Sequence, residues 1–153
     1  MCIRQKKIFE LSLPAGFTLI EILISLLILS IGILGLAGLQ ASGMRNNHSA
    51  YLRSQANIFT YDIIDSMRAN RGSMTNAATA LGGAYNITID ATVPTGSATA
   101  QLDLARWLNA IATQLPSGKG SITQTPATPR FTIVIQWNDR EIPPKTFSID
   151  TRL

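Results

Sequence analysis

The sequence predicts an α+β fold, with a long, protruding N-terminal α-helix packed on a small antiparallel β-sheet head. Three observations carry this reading. Phe17 to Leu39 is an apolar run with a single ionisable side chain, Glu21. Beyond it, Leu52, Ala56, Phe59, Ile63 and Met67 recur at steps of three and four, one apolar stripe on a helix. The C-terminal half breaks instead into short runs bounded by turn residues.

Taken in order, the chain divides after residues 16, 40 and 71. Residues 1–16 form a short basic leader, and Pro14 and Gly16 separate it from the apolar run. Residues 17–40 are the membrane-spanning segment. As a helix, Phe17 to Leu39 covers roughly 35 Å, enough to cross a hydrocarbon core of about 30 Å. An ordinary secretory signal has a shorter apolar core with its cleavage site after it, whereas here the best-placed glycine comes first. Residues 41–71 are the amphipathic half of the same helix, stopped by Asn70, Arg71 and Gly72. A helix from Phe17 to Asn70 is about 80 Å long, more than a small domain can cover, so it protrudes.

Residues 72–153 make the β-rich head. Tyr85 to Ala91 alternates as a half-buried strand and is stopped by Val93-Pro94-Thr95-Gly96. Leu104, Leu108, Ile111 and Leu115 place a second amphipathic helix over Thr99 to Leu115, ended by Pro116. Ser121 to Gln124 reads as a weak strand, Phe131 to Trp137 as a strong one and Thr146 to Thr151 as a further short one. Tyr85, Trp107 and Trp137 are core candidates. The stretches 72–84 and 92–98, rich in Gly, Ala, Ser and Thr, read as surface loops.

Composition sharpens the picture. The apolar content of 46% and mean hydropathy of +0.19 are high for a soluble domain, but the excess sits in the N-terminal block. Of the thirteen basic residues behind the net charge of +4, Arg4, Lys6 and Lys7 precede that block, so much of the basicity is a targeting signal. With Arg45 the first charge after Glu21, the basic start also predicts a cytoplasmic N-terminus. The one cysteine, Cys2, lies in the leader, which leaves the rest of the chain without disulfide or thiolate chemistry.

Glu21 is the residue that a plain membrane anchor does not explain. On insertion scales an Asp at mid-helix costs about 3 kcal/mol, less near an end, so a carboxylate here either snorkels to the interface or meets a cationic partner. The string Gly16-Phe17-Thr18-Leu19-Ile20-Glu21 followed at once by the apolar helix resembles the type IV prepilin signature. A glycine before a cut lets a protease approach extended backbone without a Cβ in the way. The resemblance implies that a prepilin peptidase cuts between Gly16 and Phe17 and methylates the new amine of Phe17. It further implies that Glu21 meets the N-terminal amine of an adjacent subunit. Residues 26–40, LLILSIGILGLAGLQ, are similar to the PilV-type minor pilins, as are Asp65-Ser66-Met67-Arg68-Ala69-Asn70 and, more thinly, Ile135 to Asp139. Pro14 and Ala15 depart from the basic residues usual before the glycine, and Glu10 dilutes the leader's charge.

The fold implied is therefore pilin-like, and the function implied is that of a minor pilin. Such a subunit waits in the inner membrane by a single pass with its head in the periplasm. It then takes part in priming pilus assembly and in the tip complex, supporting twitching motility and adhesion. The implied partners are the prepilin peptidase, the major pilin and other minor pilins, the inner-membrane assembly platform and a tip adhesin. Gly32, Gly35 and Gly38 have two readings. They permit close packing of membrane helices, or by resemblance they loosen the helix as a subunit leaves the bilayer. Two rivals stand beside this one: an I-type pseudopilin of type II secretion, which shares the start of the motif, and a signal-anchored periplasmic binding domain that is never cut.

No enzyme, cofactor or metal is expected. His48 is the only histidine and reads as a solvated helical residue. Asp62 and Asp65 imitate a catalytic pair, but Arg68 stands three residues from Asp65 and is its natural partner. Asp139 and Glu141 lie in a turn-like stretch without calcium-loop spacing. Arg130, Trp137 and Arg140 hint only weakly at nucleic acid, with Trp137 reading as a core anchor, and no specific nucleic-acid partner is expected.

Overall fold

A computed structural model describes residues 16–71, 83–126 and 128–153. Helix α1 runs from Leu19 to Arg71, with Arg68 and Arg71 in its last turn, where cations complement the carbonyl end of the helix dipole. Its buried residues are Leu52, Ala56, Phe59, Thr60, Ile63, Ile64 and Met67, so the whole expected stripe is core. The Thr60 hydroxyl inside that stripe donates to the Ala56 carbonyl at 2.9 Å, which meets its polar demand without leaving the helix. The described residues form two compact units that divide after Met44, and α1 contributes to both.

Helix α2 spans Thr99–Gln114, as its spacing predicts, and buries Ala100, Leu104, Trp107, Leu108 and Ile111. The Trp107 indole N–H donates to the Phe59 carbonyl at 2.9 Å, which fixes α2 against α1. At its end Leu115 N–H returns to the Ile111 carbonyl at 2.9 Å, and Ser117 then takes a left-handed conformation. Gly118 comes next, where a Cβ would lie 2.5 Å from the Ile111 carbonyl oxygen.

Among the described residues the head has three antiparallel strands, adjacent in chain order: β1 (Lys119–Gln124), β2 (Arg130–Asp139) and β3 (Glu141–Arg152). Ile122 faces Ile133, and Ile133 faces Ile149 across the next pair. Alternation turns Phe131, Ile133, Ile135 and Trp137 inward, onto the same core as the α1 stripe and α2. Gly120 is the close approach in that core: a Cβ there would come within 2.5 Å of the Trp107 ring. Tyr85, Trp107 and Trp137 are all buried, as expected of them.

The expected strand over Tyr85 to Ala91 does not form. Tyr85 and Ile87 are buried as the alternation requires, but pairing is limited to one bridge between Ile87 and Ile122. Side-chain chemistry replaces the ladder, because Gln124 N–H donates to Asn86 Oδ1 at 2.8 Å. Past the bridge, Ala91 N–H folds back to the Thr88 carbonyl at 3.1 Å. Strand β3 begins at Glu141, five residues before the expected Thr146, and takes in Pro143 and Pro144. Both prolines fall between the Trp137–Lys145 and Asp139–Glu141 pairs, where the register shifts, and irregular stretches of edge strands are where a sheet accepts proline. The expected loop at 72–84 lies outside the described residues except for its last two, as does all of the leader but Gly16.

Tyr85 ties three segments together. Its hydroxyl donates to Asp103 Oδ2 at 2.7 Å on α2 and accepts from Asn70 Nδ2 at 3.0 Å near the end of α1. Burial, then the bond to the Asp103 carboxylate, pushes its pKa well above the usual tyrosine value.

Candidate functional site

The start of α1 is organised by Thr18. Its carbonyl accepts from Glu21 N–H at 3.1 Å and from Ile22 N–H at 3.3 Å, while its hydroxyl accepts from Glu21 N–H at 3.3 Å. Thr18 is thus the N-cap and Glu21 the third helical residue, the spacing of a capping box. Sequence reasoning missed this, although the T-x-x-E spacing at the head of the apolar run was its signal. A carboxylate in the first turn also suits the positive end of the helix dipole. Glu21 therefore has a local role in starting the helix, and its side chain remains exposed.

Phe17, Glu21, Ile22, Ser25, Leu26 and Leu29 line one shallow groove of about 350 Å³ along α1. Phe17 and Glu21 are thereby brought together, with Gly16 next to Phe17 in the chain. Glu21 has no ion pair among the described residues. Phe17 is 80% exposed, and the other large apolar residues of residues 17–39 are exposed as well. The two serines of the run make no demand on their surroundings. Ser25 Oγ donates to the Glu21 carbonyl at 2.8 Å and Ser30 Oγ to the Leu26 carbonyl at 2.7 Å. Gly32, Gly35 and Gly38 have nothing within 4 Å of where a Cβ would stand. This surface is apolar, helical, free of unmet polar groups apart from Glu21, and long enough for a membrane.

In the head, Asp65 pairs with Arg68 at 3.1 Å on the exposed surface, the structural use expected of it. His48 is exposed, also as expected, but it shares a cleft with Arg45, Asn46, Ser49, Asp139, Arg140 and Lys145. The sequence gives no signal for that grouping, since it joins one turn of α1 to the β2–β3 turn. Arg130 lies apart from Arg140, in a different cleft with Arg152, its cross-strand neighbour.

The profile of the family described as the prokaryotic N-terminal methylation motif matches residues 13–37. No curated protein and no solved structure gives a significant match. The matched segment contains Gly16, Phe17, the Thr18 cap, Glu21 and most of the apolar run. In that segment the chain carries a type IV pilin-like prepilin signal, on an apolar helix suited to anchoring in a membrane.

Proposed function

We propose that the chain is a minor pilin of the type IV pilus, of the PilV type, that helps to prime assembly and joins the tip complex. The observation that carries this reading is the methylation motif over residues 13–37, set on a helix whose apolar surface no described residue covers. Bare apolar surface is stable in lipid or against other helices, and a subunit that moves from membrane to filament uses both. Such a role calls for no catalysis.

The prepilin peptidase cuts between Gly16 and Phe17 and methylates the Phe17 amine. The freed ammonium then sits beside Thr18 at the positive end of α1, an unfavourable place for a cation without a counter-charge. Glu21 of the adjacent subunit supplies that charge, and the pair sets axial register more than it adds net stability, because both groups must be desolvated. The periplasmic head meets the major pilin, other minor pilins and a tip adhesin, after the assembly platform lifts the subunit from the inner membrane.

Intact mass of the membrane-extracted protein tests the class. Loss of residues 1–16 together with one added methyl group is expected, and an uncut N-terminus would sink the reading. A clean deletion tests the machine: surface pili and twitching are expected to fall. Normal piliation with lost protein secretion would assign the chain to a type II secretion pseudopilus instead.

A further inference from the structure

We propose that the cleft between the Arg45–Ser49 turn of α1 and the β2–β3 turn seats the phosphate of an anionic phospholipid headgroup. The inference rests on the membrane-anchoring reading of residues 17–40. Among the described residues Arg45, Arg140 and Lys145 line the cleft together with the Asp139 carboxylate, and His48 and Ser49 offer further hydrogen-bonding groups. Its volume of about 300 Å³ admits a phosphodiester with its glycerol.

Two features indicate a built cleft. Arg140 holds a left-handed backbone, φ 52°, where a glycine or asparagine is the usual occupant of a tight turn. The β2–β3 register also shifts between Trp137 and Asp139, and such irregularities re-aim side chains at the end of a sheet. Lys145 stands directly opposite Trp137, whose buried ring fixes that end of the strand pair.

Position in the chain selects lipid over a soluble anion. Arg45 is the first charged residue after Glu21 and lies six residues past Leu39 in the chain, a rise of roughly 9 Å for any helical stretch of that length. That is headgroup depth for a helix whose hydrocarbon-spanning part ends near Leu39. Anionic leaflets attract basic residues at this depth, and a phosphodiester there is present at very high local concentration. The cleft would hold the head against the membrane until assembly draws the subunit out.

The test titrates the full chain, in a neutral detergent, with short-chain phosphatidylglycerol, short-chain phosphatidylcholine or inorganic phosphate, and counts bound ligand by native mass spectrometry. Phosphatidylglycerol is expected to bind more tightly than phosphatidylcholine. Arg140→Gly, which suits the left-handed backbone, and Lys145→Gln are each expected to weaken it about fivefold, while Arg130→Gln leaves it unchanged. Equal binding of the two lipids, or no loss in either the Arg140→Gly or the Lys145→Gln variant, overturns the proposal. So does inorganic phosphate that binds as tightly as the lipid, which would mark a soluble-anion site. Flotation of the full chain with phosphatidylcholine vesicles separates the two readings. A chain that does not float overturns the membrane anchor, and a chain that floats without preferring phosphatidylglycerol overturns the headgroup site alone.

Discussion

Helix α1 carries apolar residues along nearly all of its length, but they have opposite fates on the two sides of Met44. In residues 19–44, Leu27 is 62% and Leu34 72% exposed, and no apolar side chain of that stretch is buried. In residues 45–71, Ile63 and Met67 are fully buried and share a core with Trp107, Ile133 and Ile135. The second stretch has its partners in the chain, whereas none of the described residues covers the first. The difference is legible in period: an all-round apolar run asks for apolar surroundings on every side, a stripe for one covered face.

Truncating one large side chain in each region, with stability measured by chemical denaturation of the full chain in detergent, separates the two stretches most sharply. Trp107→Ala removes a fully buried ring and its bond to the Phe59 carbonyl, and should cost about 3–5 kcal/mol. Leu27→Ala should change the stability of the head by less than about 0.5 kcal/mol, as distant surface substitutions do. Equal losses from both would mean that residues 19–44 belong to the same cooperative core.

Glycines sharpen the contrast. Gly120→Ala drives a Cβ to 2.5 Å from the Trp107 ring, and overpacking of this kind costs about 1–3 kcal/mol. Gly35→Ala meets nothing within 4 Å and should raise helix stability by about 1 kcal/mol. If the same substitution lowers surface piliation, the glycine serves contacts between subunits or helix loosening during assembly. Unchanged piliation would leave Gly35 without either role.

Much of this is legible in the sequence, and each exception has its own physical cause. The α1 stripe and the bounds of α2 can be read from spacing, because burial against one face imposes its period on the chain, whereas Tyr85, Trp107 and Trp137 are core candidates whose facing only the structure gives. Tyr85 to Ala91 showed the same alternation but made a single bridge, since Asn86 takes the Gln124 N–H that a ladder would have used. At the candidate site the motif residues were legible because chain neighbours carry them. The Thr18 cap is legible in its T-x-x-E spacing, whereas the cleft joining Arg45 to Arg140 is not legible at all, as only tertiary folding brings α1 to the β2–β3 turn.

A smaller effect probes the start of α1. Thr18→Ala removes the hydroxyl that accepts from Glu21 N–H and should fray the first turn, at a cost of about 1 kcal/mol local to that end. Hydrogen exchange should show faster amides at Glu21 and Ile22, with no change in α2 or the sheet. Protection lost throughout the head would contradict the separation of the two regions.

The smallest effect belongs wholly to the head and depends on pH. Tyr85 is held protonated by burial and by its bond to Asp103, so its folded-state pKa lies above the unfolded value of 10.0. Below that value both states keep the proton and the contribution of Tyr85 to stability is present in full. As pH rises past it the unfolded chain releases the proton more readily than the folded one, and stability falls. Tyr85→Phe has no proton to release, so its denaturation midpoint should decline less steeply than that of the parent above about pH 10, although it starts lower for want of the bonds to Asp103 and Asn70. Parallel declines would show that the Asn70–Tyr85–Asp103 tie opens before the head unfolds, which would place the end of α1 outside the core that the buried stripe defines.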